Sequence, residues 1–204
     1  MSKKLAILLD AGHGGIIDGE YQTSGKRSPK WDDGSQYFEG KGNRQIREIL
    51  YLLLVEAGYK VHKIADSQED IPLSERVKEA NSYASFYGAS NCLYISIHSN
   101  GFSKESAHGW SVYTSVGQTK SDMYATKLYE EAEKMWPGEN FRKSTSDGDP
   151  DKESNFYVLR KTSCPAILSE NFFHTNEREC KRFLLSEQGR IEIAEVHFNM
   201  INNL

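Results

Sequence analysis

At 204 residues, with 38% hydrophobic and 26% charged side chains, the chain is long enough to bury a substantial core without disulfide or metal staples. A formal net charge of −4 argues against a nucleic-acid binder that works through a broad basic field, and no run approaches the ~20 apolar residues of a membrane-spanning helix. Three cysteines, Cys92, Cys164 and Cys180, contain no C-x-x-C pair and form no closed disulfide framework.

The chain opens Met-Ser-Lys-Lys, followed by an apolar run too short for the core of a secretory signal. Leu5 to Leu9 is continuous rather than alternating and reads as a buried strand. It ends in Asp10-Ala11-Gly12-His13-Gly14-Gly15, an acid and then a histidine among glycines. A rigid strand behind that imidazole and little bulk around it suit a group that reaches a metal or substrate. Residues 11–38 form a long polar loop, a feature that is usually functional inside a compact domain. A helix is expected from about Asn43 to Ala57, with Ile46, Ile49, Leu50, Leu53 and Leu54 on one face. Tyr59 to Ile64 is the next strand, and a second helix spans Leu73 to Phe86 between Pro72 and Gly88.

A second strand-end histidine follows: Leu93 to Ile97 delivers His98, then Ser99-Asn100-Gly101. Cys92, at the start of this run, is read as a small core residue, and Cys164, before Pro165, as a thiol near the site but without a nucleophile motif. Trp110 to Thr114 is another strand, Ser121 to Met135 a third helix, and Pro137 to Ser154 a polar, mobile surface loop. Phe156 to Arg160 and Ala166 to Glu170 read as two further strands, paired antiparallel because their connection is too short for a crossover helix. Arg178 to Leu204 reads as helical with a break near Gly189. Alternation of strands and helices predicts an α/β fold, a mostly parallel twisted sheet of about six strands with helices on both faces.

Ligands in such sheets gather outside the carboxyl ends of the strands, so His13, His98 and Glu170 can converge from distant parts of the sequence. A hydrolytic zinc needs a third protein ligand and an open position. Glu39, which closes the long loop before the first helix, is the best candidate, with Asp18, Glu20, Asp32 and Asp33 as competitors. Two neutral imidazoles and one carboxylate would leave residual positive charge to polarise water and an amide carbonyl. Glu170 would then be free as base and later acid.

These residues resemble the zinc-dependent N-acetylmuramoyl-L-alanine amidases of the amidase-3 family over nearly the whole chain. Asp10 to Gly15 is similar to the family's opening ligand motif, and Glu39 with Asn43 to its helix-leading glutamate, which selects Glu39 among the loop acids. Leu73, Arg76 and Ala80-Asn81 resemble the helix before the second histidine. Ser96 to Asn100 and Gly109 to Tyr113 are similar to the next two motifs. Tyr157 to Arg160, Pro165 to Glu170, and Phe173 with Asn176 resemble the stretch carrying the catalytic glutamate. The resemblance implies one Zn2+ held by His13, Glu39 and His98, with Glu170 catalytic. It implies cleavage of the amide between the lactyl group of N-acetylmuramic acid and L-alanine in peptidoglycan.

Residues 1–204 are accordingly expected to be a single catalytic amidase domain and a monomer, acting on the cell wall without an evident signal peptide. Another zinc peptidase or deacetylase of similar architecture, or an inactive wall-binding module, are the competing readings. The long span from His13 to Glu39 and the residues Arg44 and His174 depart from the family pattern. His174, near Glu170 in sequence, could orient something there but is read as an incidental surface histidine; Arg76 could support the site electrostatically but is read as a solvated or salt-bridged helix residue, and His62, His108 and His197 as structural or surface. The short stretch between Trp110 and Pro165 leaves no room for the inserted helix that blocks the zinc in some relatives.

Overall fold

The computed structural model describes residues 5–146 and 148–204, so the Met-Ser-Lys-Lys start and Asp147 of the polar loop lie outside the described residues. Its centre is a six-stranded sheet in the order β4-β1-β5-β8-β6-β7. The strands are β1 (Ala6–Ala11), β4 (Lys60–Ile64), β5 (Cys92–Asn100), β6 (Ser111–Thr114), β7 (Lys152–Glu153) and β8 (Ala166–Phe173). Pairing is parallel from β4 through β1 and β5 to β8, antiparallel between β8 and β6, and parallel again between β6 and β7. A separate hairpin joins β2 (Ile16–Ile17) to β3 (Glu20–Tyr21).

The period of two in the central strands divides their side chains between two layers. Ile7, Leu9, Leu93, Ile95, Ile97 and Ile167 pack against α1 (Glu39–Glu56), α3 (Lys120–Met135) and α6 (Glu187–Asn202). Ala6, Leu8, Cys92, Tyr94, Ala166 and Leu168 face α2 (Leu73–Tyr87) and α4 (Tyr157–Lys161). Both faces are thereby covered, as the continuous apolar strands require. All three cysteines are free and buried, Cys164 within the layer under α2 rather than at the site.

Four expectations need correction. Phe156 to Arg160 is no strand: it is the entry to α4, one helical turn with Val158 and Leu159 buried. An apolar run that short has no readable period. The antiparallel partner of β8 is therefore β6. The first helix starts at Glu39, not Asn43, despite the poor helix propensity of Gly40 and Gly42. Those glycines permit close approach: a Cβ on Gly40 would run into the backbone of Gly14, and one on Gly42 into the Tyr37 ring. Finally, the C-terminal break falls at Ser186, between a π-helical turn (Cys180–Leu185) and α6. Gly189 lies inside α6, its N–H donated to the capping Ser186 hydroxyl.

The loop of residues 11–38 is anchored rather than merely polar. It contributes Trp31 and Tyr37 to the core and carries the β2–β3 hairpin. The 137–154 stretch is likewise tied down at Phe141, which bridges Trp110, and by β7. No described helix is long and apolar enough to cross a membrane.

Candidate metal centre and active site

The site lies at the carboxyl ends of β1, β5 and β8, where neighbouring strand ends open a crevice. His13 sits two residues past β1 in left-handed backbone, with φ of 68°. A non-glycine residue there is strained by about 1–3 kcal/mol, and such strain persists only where its surroundings impose it. Arg76 of α2 imposes it here. Its guanidinium donates to the carbonyls of Ala11 (2.8 Å), His13 (3.1 Å) and Ile71 (2.9 Å).

The same guanidinium forms a buried ion pair with Asp10 at 2.5 Å. The other Asp10 oxygen accepts from the Tyr94 and Ser96 hydroxyls, both at 2.8 Å. Burial alone would raise the Asp10 pKa; the Arg76 charge, the nearby His98 and these hydroxyls outweigh it and hold the carboxylate ionised. Arg76 is only 1% exposed, so of its two readings, solvated or salt-bridged, the structure bears out the second.

His98 is oriented by the opposite wall. Its carbonyl accepts from the Asn171 side chain at 2.9 Å, and Asn171 in turn accepts from the Trp110 indole at 2.9 Å. The β5–β8 register slips just past His98, and Phe172 takes positive φ, so β8 bends where it passes the site. Gly12 must be glycine, since a Cβ there would overlap the His98 ring.

Glu39 enters as the first residue of an 18-residue helix, where the helix dipole favours a negative charge. Its Oε1 lies 3.3 Å from His13 Nε2 and 3.1 Å from His98 Nδ1, and accepts the Ser99 N–H at 3.2 Å. Burial opposes its ionisation, but the two imidazoles prevail and hold its pKa well below the ordinary carboxylate range. The two rings meet edge to face, 5.0 Å between centres. Ligand atoms of His13, Glu39 and His98 lie within 4.8 Å of one another, so these three can hold a metal ion. Asp18, Glu20, Asp32 and Asp33 do not belong to that group.

Glu170 is placed beside His98 by the β5–β8 register and opposite Ser111 on β6. It lines the crevice with one edge, while Oε2 is enclosed and has no hydrogen-bond partner among the described residues. Burial first, then the negative Glu39, pushes its pKa up to about 8. A carboxyl poised near neutrality beside a candidate metal centre fits proton transfer.

Four features of this site were not read from the sequence. His174 is not a surface residue: it is 4% exposed and its Nδ1 lies 4.0 Å from Glu39 Oε2. Lys26, from the long loop, lines the crevice and lends its charge to Glu170. Phe156 and Tyr157 form part of an aromatic wall, and Asn171 fixes His98 from behind. An available signal was Asp10, a carboxylate closing an all-apolar strand that had to find a buried cation. Of the other histidines, His62 and His197 hydrogen-bond within the fold, His197 being fully buried, and His108 lies in an exposed loop.

Comparison with known proteins gives a consistent result. The family model described as "N-acetylmuramoyl-L-alanine amidase", Amidase_3, matches residues 7–203. The N-acetylmuramoyl-L-alanine amidase CwlM of Bacillus licheniformis is 29% identical over 133 residues, 65% of this chain. That match spans just under half of the relative, 46% of its length. Among solved structures, an N-acetylmuramoyl-L-alanine amidase from Clostridium difficile 630 superposes with a TM-score of 0.76 at 23% identity, covering 99% of this chain and 97% of the other. The catalytic domain of CwlV from Bacillus (Paenibacillus) polymyxa var. colistinus gives 0.73 at 22% identity, covering 98% and 97%. At those identities the structural likeness speaks for the fold.

Proposed function

Because the chain belongs to the N-acetylmuramoyl-L-alanine amidase family Amidase_3, we propose that it hydrolyses the amide joining N-acetylmuramic acid to L-alanine in peptidoglycan. We read residues 1–204 as one catalytic unit for that reaction. The single observation that carries this reading is the meeting of His13, Glu39 and His98 beside a fourth, unliganded acid, Glu170.

The donor set fits a hydrolytic zinc: two imidazoles and one carboxylate, with ligand atoms gathered within 4.8 Å of one another. Bound there, Zn2+ would supply Lewis-acid activation of water and of the scissile carbonyl. The chain's own groups do the remaining work. The Asp10–Arg76 pair fixes the turn that presents His13, and Asn171 fixes the carbonyl of His98. Glu170 accepts the proton of the attacking water at its carboxylate and returns it to the departing alanine nitrogen. Phe156, Tyr157 and Leu73 give the crevice an apolar wall against which a sugar or peptide can lie.

Glu170→Ala is expected to bind zinc like the parent while turnover of purified walls falls by about 10²–10⁴-fold. Products carrying a free lactyl carboxyl on muramic acid identify the bond cut. Release of peptides or acetate instead would favour a peptidase or deacetylase. Retained turnover in Glu170→Ala would remove Glu170 from its assigned role.

A further inference from the structure

We propose that His174 is a positioning residue for the metal ligand Glu39, acting on the carboxylate oxygen that the two ligand histidines do not face. This rests on the zinc reading of the site. Oε1 of Glu39 is fully engaged: it faces both imidazoles and accepts the Ser99 N–H. Oε2 is enclosed and has no hydrogen-bond partner among the described residues. A buried carboxylate oxygen without a donor is costly and leaves the group free to rock about its bond.

The imidazole of His174 stands at that oxygen, with Nδ1 4.0 Å away and 3.4 Å from the Ser99 hydroxyl. The ring is held there from several sides. Its backbone N–H donates to Asn100 at 2.8 Å, and Tyr37 stacks on it with centres 6.3 Å apart. Gly101 leaves the space that Nε2 fills, since a Cβ on that residue would come within 2.6 Å of it. Nδ1 is therefore the ring nitrogen that faces Ser99 and Glu39, and Nε2 the one turned toward Gly101.

His174 and Ser99 therefore form a polar backing for Glu39, fixing which oxygen it presents to the ion. Outer partners of this kind typically change metal affinity by about 10–100-fold. An apolar residue would fill the same space without any donor, so the role belongs to the histidine and not to the position.

The experiment is zinc affinity of the full chain, measured by competition with a chromophoric chelator, for the parent, His174→Leu and His174→Asn. The Asn amide nitrogen can occupy the place of Nδ1. His174→Leu is expected to bind zinc about 10–100-fold more weakly, and His174→Asn to stay within about threefold of the parent. Thermal unfolding of the metal-free proteins serves as the control, and should differ far less between the variants than affinity does. Leu within twofold of the parent would overturn the proposal, as would Leu and Asn weakened equally, which is the mark of packing alone. A parent chain that takes up no zinc would overturn the metal reading itself, an outcome separate from either of these.

Discussion

Replacing Arg76 with methionine tests the frame of the site without touching a proposed ligand. Methionine approximates the volume and removes every donor. Asp10 would stay buried at 1% exposure, with the Tyr94 and Ser96 hydroxyls but no counter-charge. Removing one partner of a buried ion pair costs about 3–5 kcal/mol. For a chain of this size that lowers the melting temperature by about 6–20 °C, taking ~2–4 °C per kcal/mol. The carbonyls of Ala11, His13 and Ile71 also lose their donor, so the strained turn at His13 should relax and zinc affinity fall. The decisive measurement is a double-mutant cycle with Asp10→Asn, read by chemical denaturation. Neutralising both partners should recover more than about 1 kcal/mol relative to the sum of the single losses. If Arg76→Met costs less than about 1 kcal/mol, or the two changes simply add, the pair does not frame the site.

Gly40→Ala should destabilise the protein and weaken zinc binding, although alanine is favoured by about 1 kcal/mol in a helix, because its methyl meets the Gly14 backbone; a gain in melting temperature would contradict the close approach. His197, fully buried against Ser169, has its pKa pushed down to about 4 by burial. The unfolded histidine takes up a proton below about pH 6.5 while the folded one stays neutral, so stability falls as pH is lowered from about 6.5 to 4, by ~3 kcal/mol. His174 adds a term of the same sign, so the readout is the difference between parent and His197→Gln, whose stability should change less over that range. Added to isolated walls, the purified chain should release lactyl-terminated products with no activator present; complete latency would mean that something covers the crevice.

The sheet was legible because its central strands are long apolar runs, and Glu170, His98 and His13 because each ends or follows one. Glu39 led the loop acids by its place before the first helix, and family likeness settled the choice. Its helix begins with two glycines whose value is close packing, and propensity alone starts that helix four residues late. α4 was lost for a related reason: the four apolar residues Phe156 to Leu159 carry no period, and only the neighbouring α2 decides that they coil. His174 was misjudged because its burial comes from Tyr37, Ser99 and Gly101, which are remote in sequence. Contacts of that kind leave no local trace. The Asp10–Arg76 pair lies between these cases, since a buried acid signals a partner without saying which.

The place of β8 in the sheet bears on how the site comes into being. It is the last strand to be synthesised, yet it inserts between β5 and β6, both made earlier. A chain emerging from the ribosome therefore owns every residue proposed to grip the metal well before it owns Glu170. Hydrolytic competence cannot precede closure of the sheet, because the insertion of β8 brings Glu170 together with Asn171, which holds the His98 carbonyl.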